Sequence, residues 1–197
     1  MTTSDQSRKP LIWSFAVHLD SMQPILAYDV GIKAMKVIIM RHGEAQAFAA
    51  SDSDRALTAN GEQQSKQMAT WLNQQLDGKV IDKVLVSPYL RAQQTWQVCA
   101  PLLPDAKEVI TEEEITPYGQ SDRVYDYVNA MIEVEMLDVV LVVSHLPLVG
   151  YLTNEWVQEG QPPMFATSAM AMIEVDVTTH QASLSAHMSP RQLLNPK

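Results

Sequence analysis

The stretch "KVIIMRHGEA", Lys36–Ala45, decides how this chain folds. Val37, Ile38, Ile39 and Met40 form an unbroken apolar run, the pattern of a strand buried on both faces. The run stops on Arg41, His42 and Gly43. A strand ending in two large polar side chains and a glycine presents them at its carboxyl end, where open α/β sheets bind their ligands.

Outward from this stretch, apolar runs alternate with amphipathic ones, which predicts an α/β domain. Strands are expected at Lys36–Met40, Val84–Val86, Glu108–Ile110, Val139–Val143, Met170–Val175 and Ser183–His187. In "GEQQSKQMATWLNQQL", Met68, Trp71, Leu72 and Leu76 share one face at helical spacing. A shorter helix is expected over Arg91–Ala100, stopped by Pro101. Val124, Val128, Met131 and Ile132 mark a third helix, and Leu148, Leu152 and Trp156 a fourth, with Pro147 at its first position. "GQPPMFATS" reads as an ordered loop. The two closing strands lack an intervening helix, so the sheet should be mixed with an antiparallel edge.

Composition narrows the class. The chain has 197 residues and 46% hydrophobic content, enough for one domain with a proper core. No apolar run approaches the ~20 residues of a membrane span. A net charge of −9 argues against a nucleic-acid binder, whose footprint is a basic face, yet permits a small cationic pocket. Cys99 is the single cysteine, which excludes a disulfide framework and fits a reducing, cytoplasmic setting. Residues 1–34 read as an N-terminal extension outside the core, with Met35 a candidate native start and residues 35–197 a single domain. Their short apolar patch, Leu11–Val17, is interrupted by His18 and Asp20 and lacks a signal-peptide cleavage pattern.

Three strand exits carry unusual chemistry: Arg41-His42-Gly43, Ser87-Pro88 followed by Arg91, and Ser144-His145. If these strands are neighbours, two arginines and two histidines converge. Such a set suits a phosphoryl group. Arginine offers a planar, permanently charged fork for phosphate oxygens, and a neutral imidazole attacks phosphorus. The attacking nitrogen must lack a proton, so the other should donate to a fixed acceptor, with backbone near Gly43 the natural one. Gly43 would serve either close backbone approach or a positive φ. His145, if protonated, would donate to phosphoryl oxygens.

"IMRHGEA", "LTANGEQQS", "VLVSPYLRAQQT" and "VVSHLPLVG" together resemble the histidine phosphatase (phosphoglycerate mutase-like) superfamily. "SDSDRALTANG", "SHLPLVGYL" and "PPMFATSAM" resemble its bacterial SixA-type phosphohistidine phosphatases. The likeness runs from about Met35 to Met188. It implies a three-layer α/β/α fold with a central mixed, mostly parallel sheet and no large cap insertion. It also implies that His42 accepts the phosphoryl group and that Arg41, Arg91 and His145 hold its oxygens. Arg55 is a weaker candidate for phosphate or partner contact; the alternative is an ion pair with Asp52 or Asp54.

Ester-cleaving members of the superfamily use a carboxylic acid to protonate the departing alkoxide. Glu114, in "TEEEITPYG", has a plausible spacing without the surrounding pattern, and also fits a solvated turn. A phosphoramidate leaves as imidazole and needs less acid assistance. The expected substrate is therefore a phosphorylated histidine-containing signalling protein, either a phosphotransfer domain or a phosphotransferase-system carrier, met by a monomeric enzyme. The rivals are a small-molecule phosphomonoesterase of the same fold and a non-catalytic phosphohistidine-binding adaptor. No cofactor or metal is expected: H-x-H, H-E-x-x-H and P-loop spacings are absent from the sequence. Cys99 reads as core packing, and His18, His180 and His187 as exposed or incidental.

Overall fold

The computed structural model describes residues 34–158, 160–176 and 178–194. The expectation for the N-terminal extension falls on residues 1–33, outside the described residues. Six strands form one sheet: β1 (Ala34–Arg41), β2 (Ile81–Val86), β3 (Ala106–Thr111), β4 (Val139–Ser144), β5 (Met170–Asp176) and β6 (Ala182–Met188), in the order β3-β2-β4-β1-β5-β6. The first four are mutually parallel, and β5 and β6 close the edge antiparallel. The mixed sheet expected from the missing last helix is thus present.

Five helices accompany it: α1 (Ala59–Leu76), α2 (Leu90–Cys99), α3 (Ser121–Glu135), α4 (Leu148–Val157) and α5 (Pro190–Leu194). The unbroken apolar run of β1 is explained by two faces. Val37 and Ile39 pack with Val128, Ile132, Leu148 and Leu152 of α3 and α4. Ile38 and Met40 pack with Met68, Leu72 and Leu76 of α1 and Ala92 of α2. Because consecutive strand residues point to opposite sides, a strand between two helical layers must be apolar throughout. Each such side chain, fully buried, contributes roughly 1.5–3 kcal/mol before entropy is counted.

Some boundaries differ from expectation. The second helix ends at Cys99, and Ala100–Leu102 continues as a tighter 3-10 turn that accommodates Pro101 near its start. Pro147 caps α4 rather than opening it. The short α5 carries too weak an apolar period to be legible.

Registry positions the chemistry. β2, β4 and β1 are adjacent, with Arg41 opposite Ser144 and Val86 opposite Val143. The three unusual strand exits therefore finish side by side at one level. Among the described residues, no helix or strand interrupts loops 42–58, 87–89 or 112–120 apart from an isolated Ala45–Leu57 bridge, so no cap domain is inserted there. No described helix is long and apolar enough to cross a membrane.

Candidate active site

The loop leaving β1 is pinned on both sides. The His42 N–H donates to Ser144 O at 2.9 Å, and the Ser168 N–H donates to His42 O at 3.1 Å. Glu44 ties the loop to the start of α1: its carboxylate accepts from Thr58 Oγ1 at 2.7 Å and Asn60 Nδ2 at 2.9 Å. Thr58 in turn caps α1 by accepting from the Gly61 N–H. A Cβ on Gly43 would lie 2.7 Å from both Gly61 O and Ser65 Oγ. Close approach, not a left-handed backbone, is what requires glycine at 43.

His42 is 8% exposed, and its ring has one tautomer that its neighbours permit. Nδ1 lies 2.6 Å from Gly43 O, and a carbonyl only accepts, so Nδ1 carries the proton. Nε2 receives Arg91 Nε–H at 3.2 Å, and a guanidinium only donates, so Nε2 carries a lone pair. The backbone acceptor expected from the sequence is Gly43's own carbonyl. Burial foremost pushes the imidazole's pKa down to about 3; the Gly43 bond, second in size, opposes it, and the charges of Arg91, Arg41 and Arg55 add to the lowering. The ring is neutral at physiological pH.

Arg41, Arg91 and His145 lie around this ring. The His145 and His42 ring centroids are 4.9 Å apart. His145 is buried, with Nε2 2.7 Å from Ser87 Oγ and its ring edge-on to Tyr89. Burial, then the neighbouring His42 and Arg91, lower its pKa to about 2. The donor role expected of a protonated His145 therefore requires an incoming anion to favour the cation; in the unliganded arrangement the ring is neutral. Arg41 Nη1 donates to Phe165 O at 2.7 Å. Its guanidinium is pulled below its ordinary value by burial and by repulsion from Arg91. Arg91 is 4% exposed and stacks over the Tyr89 ring, 4.8 Å from its centroid.

Arg41 Nε and His145 Nδ1 are buried without a hydrogen-bond partner. Two orphaned nitrogens beside two mutually repelling guanidinium groups are costly unless an anion joins them. Among the described residues, no group of three or more His, Cys, Asp or Glu side chains is arranged to hold a metal ion.

Other candidates lie elsewhere or play different parts. Arg55 Nη1 pairs with Asp52 Oδ1 at 3.0 Å and its Nε donates to Gln46 O at 2.6 Å, the ion-pair alternative, while its charge still reaches His42. Glu114 is exposed in the turn after β3, where its N–H donates to the Glu112 carboxylate. That turn borders a depression lined also by Arg123, Val124 and Tyr127. Cys99 is buried, its thiol pushed up to about 12 by burial, which suits core packing. His187 is partly buried and packs edge-on against Phe165, so it helps support the loop whose carbonyl receives Arg41. His180 sits at the surface, 4.0 Å from Glu133.

Three further residues join the site, each inside a stretch that carries the family resemblance. Thr95 accepts from the Gly43 N–H and donates to Arg91 O, joining α2 to the β1 loop. Phe165 contributes only a carbonyl. Asp52 binds Arg91 through both its carbonyl oxygen and its carboxylate, the latter at 3.0 Å from Nη2. Only the Ser87-Pro88 strand exit hinted at the partner of His145.

A neutral, tautomer-fixed histidine at a strand exit, beside the half-buried Arg41, the buried Arg91 and a second histidine, is an arrangement suited to phosphoryl chemistry on an α/β sheet. The chain belongs to the histidine phosphatase superfamily, branch 1, whose family model matches residues 37–119. It is 46% identical over 162 residues to the phosphohistidine phosphatase SixA of Escherichia coli K12, covering 81% of this chain and 96% of that one. A SixA homolog from Haemophilus influenzae is 39% identical over 159 residues, covering 76% and 96%. The solved structure of the protein histidine phosphatase SixA complexed with tungstate matches with a TM-score of 0.75 at 44% identity, covering 81% and 99%.

Proposed function

We propose that this chain removes the phosphoryl group from a phosphohistidine side chain of a signalling protein, a phosphotransfer domain or a phosphotransferase-system carrier. The observation that carries the reading is the His42 ring: one nitrogen is held protonated by Gly43 O, and the other presents its lone pair among Arg41, Arg91 and His145. His42 Nε2 attacks phosphorus as the bond to the substrate imidazole breaks, and that imidazole takes a proton from solvent. Water then attacks the phosphohistidine formed on His42, giving inorganic phosphate and a proton and restoring the free ring. Arg41 and Arg91 neutralise the equatorial oxygens in both steps. His145 adds a donor once the bound anion has raised its affinity for a proton.

An imidazole leaving group does not demand a carboxylic acid, so no role is assigned to Glu114. The short loops around the site suit a phosphorylated side chain mounted on another protein. The likeness to phosphohistidine phosphatases supports the same substrate class. In this reading the enzyme acts as a monomer in the cytoplasm. The test is incubation with a radiolabelled phosphohistidine protein beside sugar phosphates. Phosphate release with an acid-labile label on His42 is expected. Faster sugar-phosphate hydrolysis would overturn the substrate, and binding without label or release would make the chain an adaptor.

A further inference from the structure

We infer that Asp52 is a charge-matching latch on the phosphoryl site, a carboxylate that competes with the incoming phosphoryl group for Arg91. The inference rests on the phosphatase reading above and concerns how tightly that site holds phosphate.

Three directions of the Arg91 guanidinium are engaged. Nε donates to His42 Nε2, Nη1 to the Asp52 carbonyl, and Nη2 to Asp52 Oδ2 at 3.0 Å. The other carboxylate oxygen of Asp52 accepts from Arg55 Nη1 at 3.0 Å. One loop residue thus bridges two cations next to the reactive imidazole. A phosphoryl group that uses the Arg91 fork must take over bonds that Asp52 now holds.

The mobile member of the pair is identifiable. Arg91 is buried, lies over Tyr89, and has its backbone carbonyl tied to Thr95. The Asp52 side chain is 47% exposed, so rotating it away forfeits little packing. The loop backbone is anchored by the Leu90 N–H on Ser53 O, so side-chain rotation suffices. The Arg55 hydrogen bond, foremost, holds the Asp52 carboxyl below its usual range, so it carries its charge at neutral pH.

Charge arithmetic gives the latch a purpose. Arg41, Arg55 and Arg91 alone would place three positive charges around a neutral ring. Asp52 reduces the set to two, close to the −1.5 to −2 that a phosphoryl group carries at about pH 7. A more cationic site would bind the product, inorganic phosphate, too well and slow its release.

The experiment measures inorganic phosphate both as a competitive inhibitor of phosphohistidine hydrolysis and by calorimetry. Asp52→Asn keeps the shape and one of the two acceptor oxygens but removes the charge. It is expected to tighten phosphate binding on the order of tenfold. Asp54→Asn makes the same charge change in the same loop without touching Arg91, and should leave binding within about twofold, as screening implies. If Asp52 served only to orient Arg91, its replacement would weaken phosphate binding; equal or weaker binding in Asp52→Asn overturns the latch. Should Asp52→Asn melt early, Asp52→Ala is read for the same sign of change. Wild-type protein that binds no phosphate would instead reject the phosphatase reading, so the two failures are distinct.

Discussion

Charged residues are buried at both ends of the sheet, and the two ends treat them differently. At the amino end, Lys83 is 4% exposed and its ammonium meets Glu135 at 2.6 Å and Glu108 at 2.9 Å. Asp82 beside it accepts from Lys107 and from the backbone N–H groups of Asp138 and Val139. At the carboxyl end, Arg41, Arg91, His42 and His145 crowd together, and two of their nitrogens have no partner. Burial of charge therefore does not mark function by itself. What separates the two groups is charge pairing: Lys83 and Asp82 each meet opposite charge, whereas Arg41 faces Arg91 and the neutral imidazoles of His42 and His145.

The comparison breaks most sharply at His42. His42→Ala should abolish turnover and the acid-labile label, because it removes the attacking nitrogen; turnover retained by that variant would falsify the covalent route. Arg41→Ala or Arg91→Ala should each lower kcat/KM on the order of 100-fold or more, the scale of one lost transition-state donor. Stability should fall little for Arg41→Ala, which relieves repulsion between the two guanidinium groups, and more for Arg91→Ala, which also breaks the pair with Asp52.

The amino end should respond the other way. Replacing both Glu108 and Glu135 with Ala strands the Lys83 ammonium and should cost about 3 kcal/mol of stability, read by urea unfolding, with kcat/KM unchanged. Loss of activity in a still-folded double variant would show that the two ends are not independent.

A pH titration sharpens the contrast further. His42 and His145 have folded pKa values near 3 and 2, below the ~6.5 of the unfolded chain. Between those values the unfolded state binds more protons, so stability is complete above about pH 6.5 and declines as pH falls. Each histidine can contribute up to about 1.4 kcal/mol per pH unit in that window. The double variant His42→Asn/His145→Asn should flatten this acid limb in chemical unfolding at pH 4–7; an unchanged limb would assign it to carboxylates.

The smallest effect is expected at Glu114. Glu114→Gln should change phosphohistidine turnover by less than about threefold, because general-acid help is of little use to an imidazole leaving group. A loss near 100-fold would bring the exposed turn into the mechanism.

Much of this molecule is legible in its residues. The two-faced apolar runs of β1 and β4 require helices on both sides, and local chemistry at three strand exits names Arg41, His42, Arg91 and His145. Those signals are local, because strand burial and strand termination are written in a few consecutive side chains. Other features depend on residues distant in sequence. Arg41 meets the Phe165 carbonyl, a backbone atom that any residue supplies, and Asp52 reaches Arg91 across a loop whose acidic residues look alike in sequence. The pairing of Arg55 with Asp52 likewise depends on the path of the loop that carries both.

The sequence by itself determined the alternation of strands and helices, the mixed sheet and the polar strand exits, since these follow from periodicity and residue chemistry; the three layers were what the family resemblance implied. Only the tertiary structure decided the protonation pattern of His42, the orphaned nitrogens of Arg41 and His145, and the place of Asp52. Those properties arise from distances of about 3 Å between groups far apart in the chain, and no spacing along the chain encodes them.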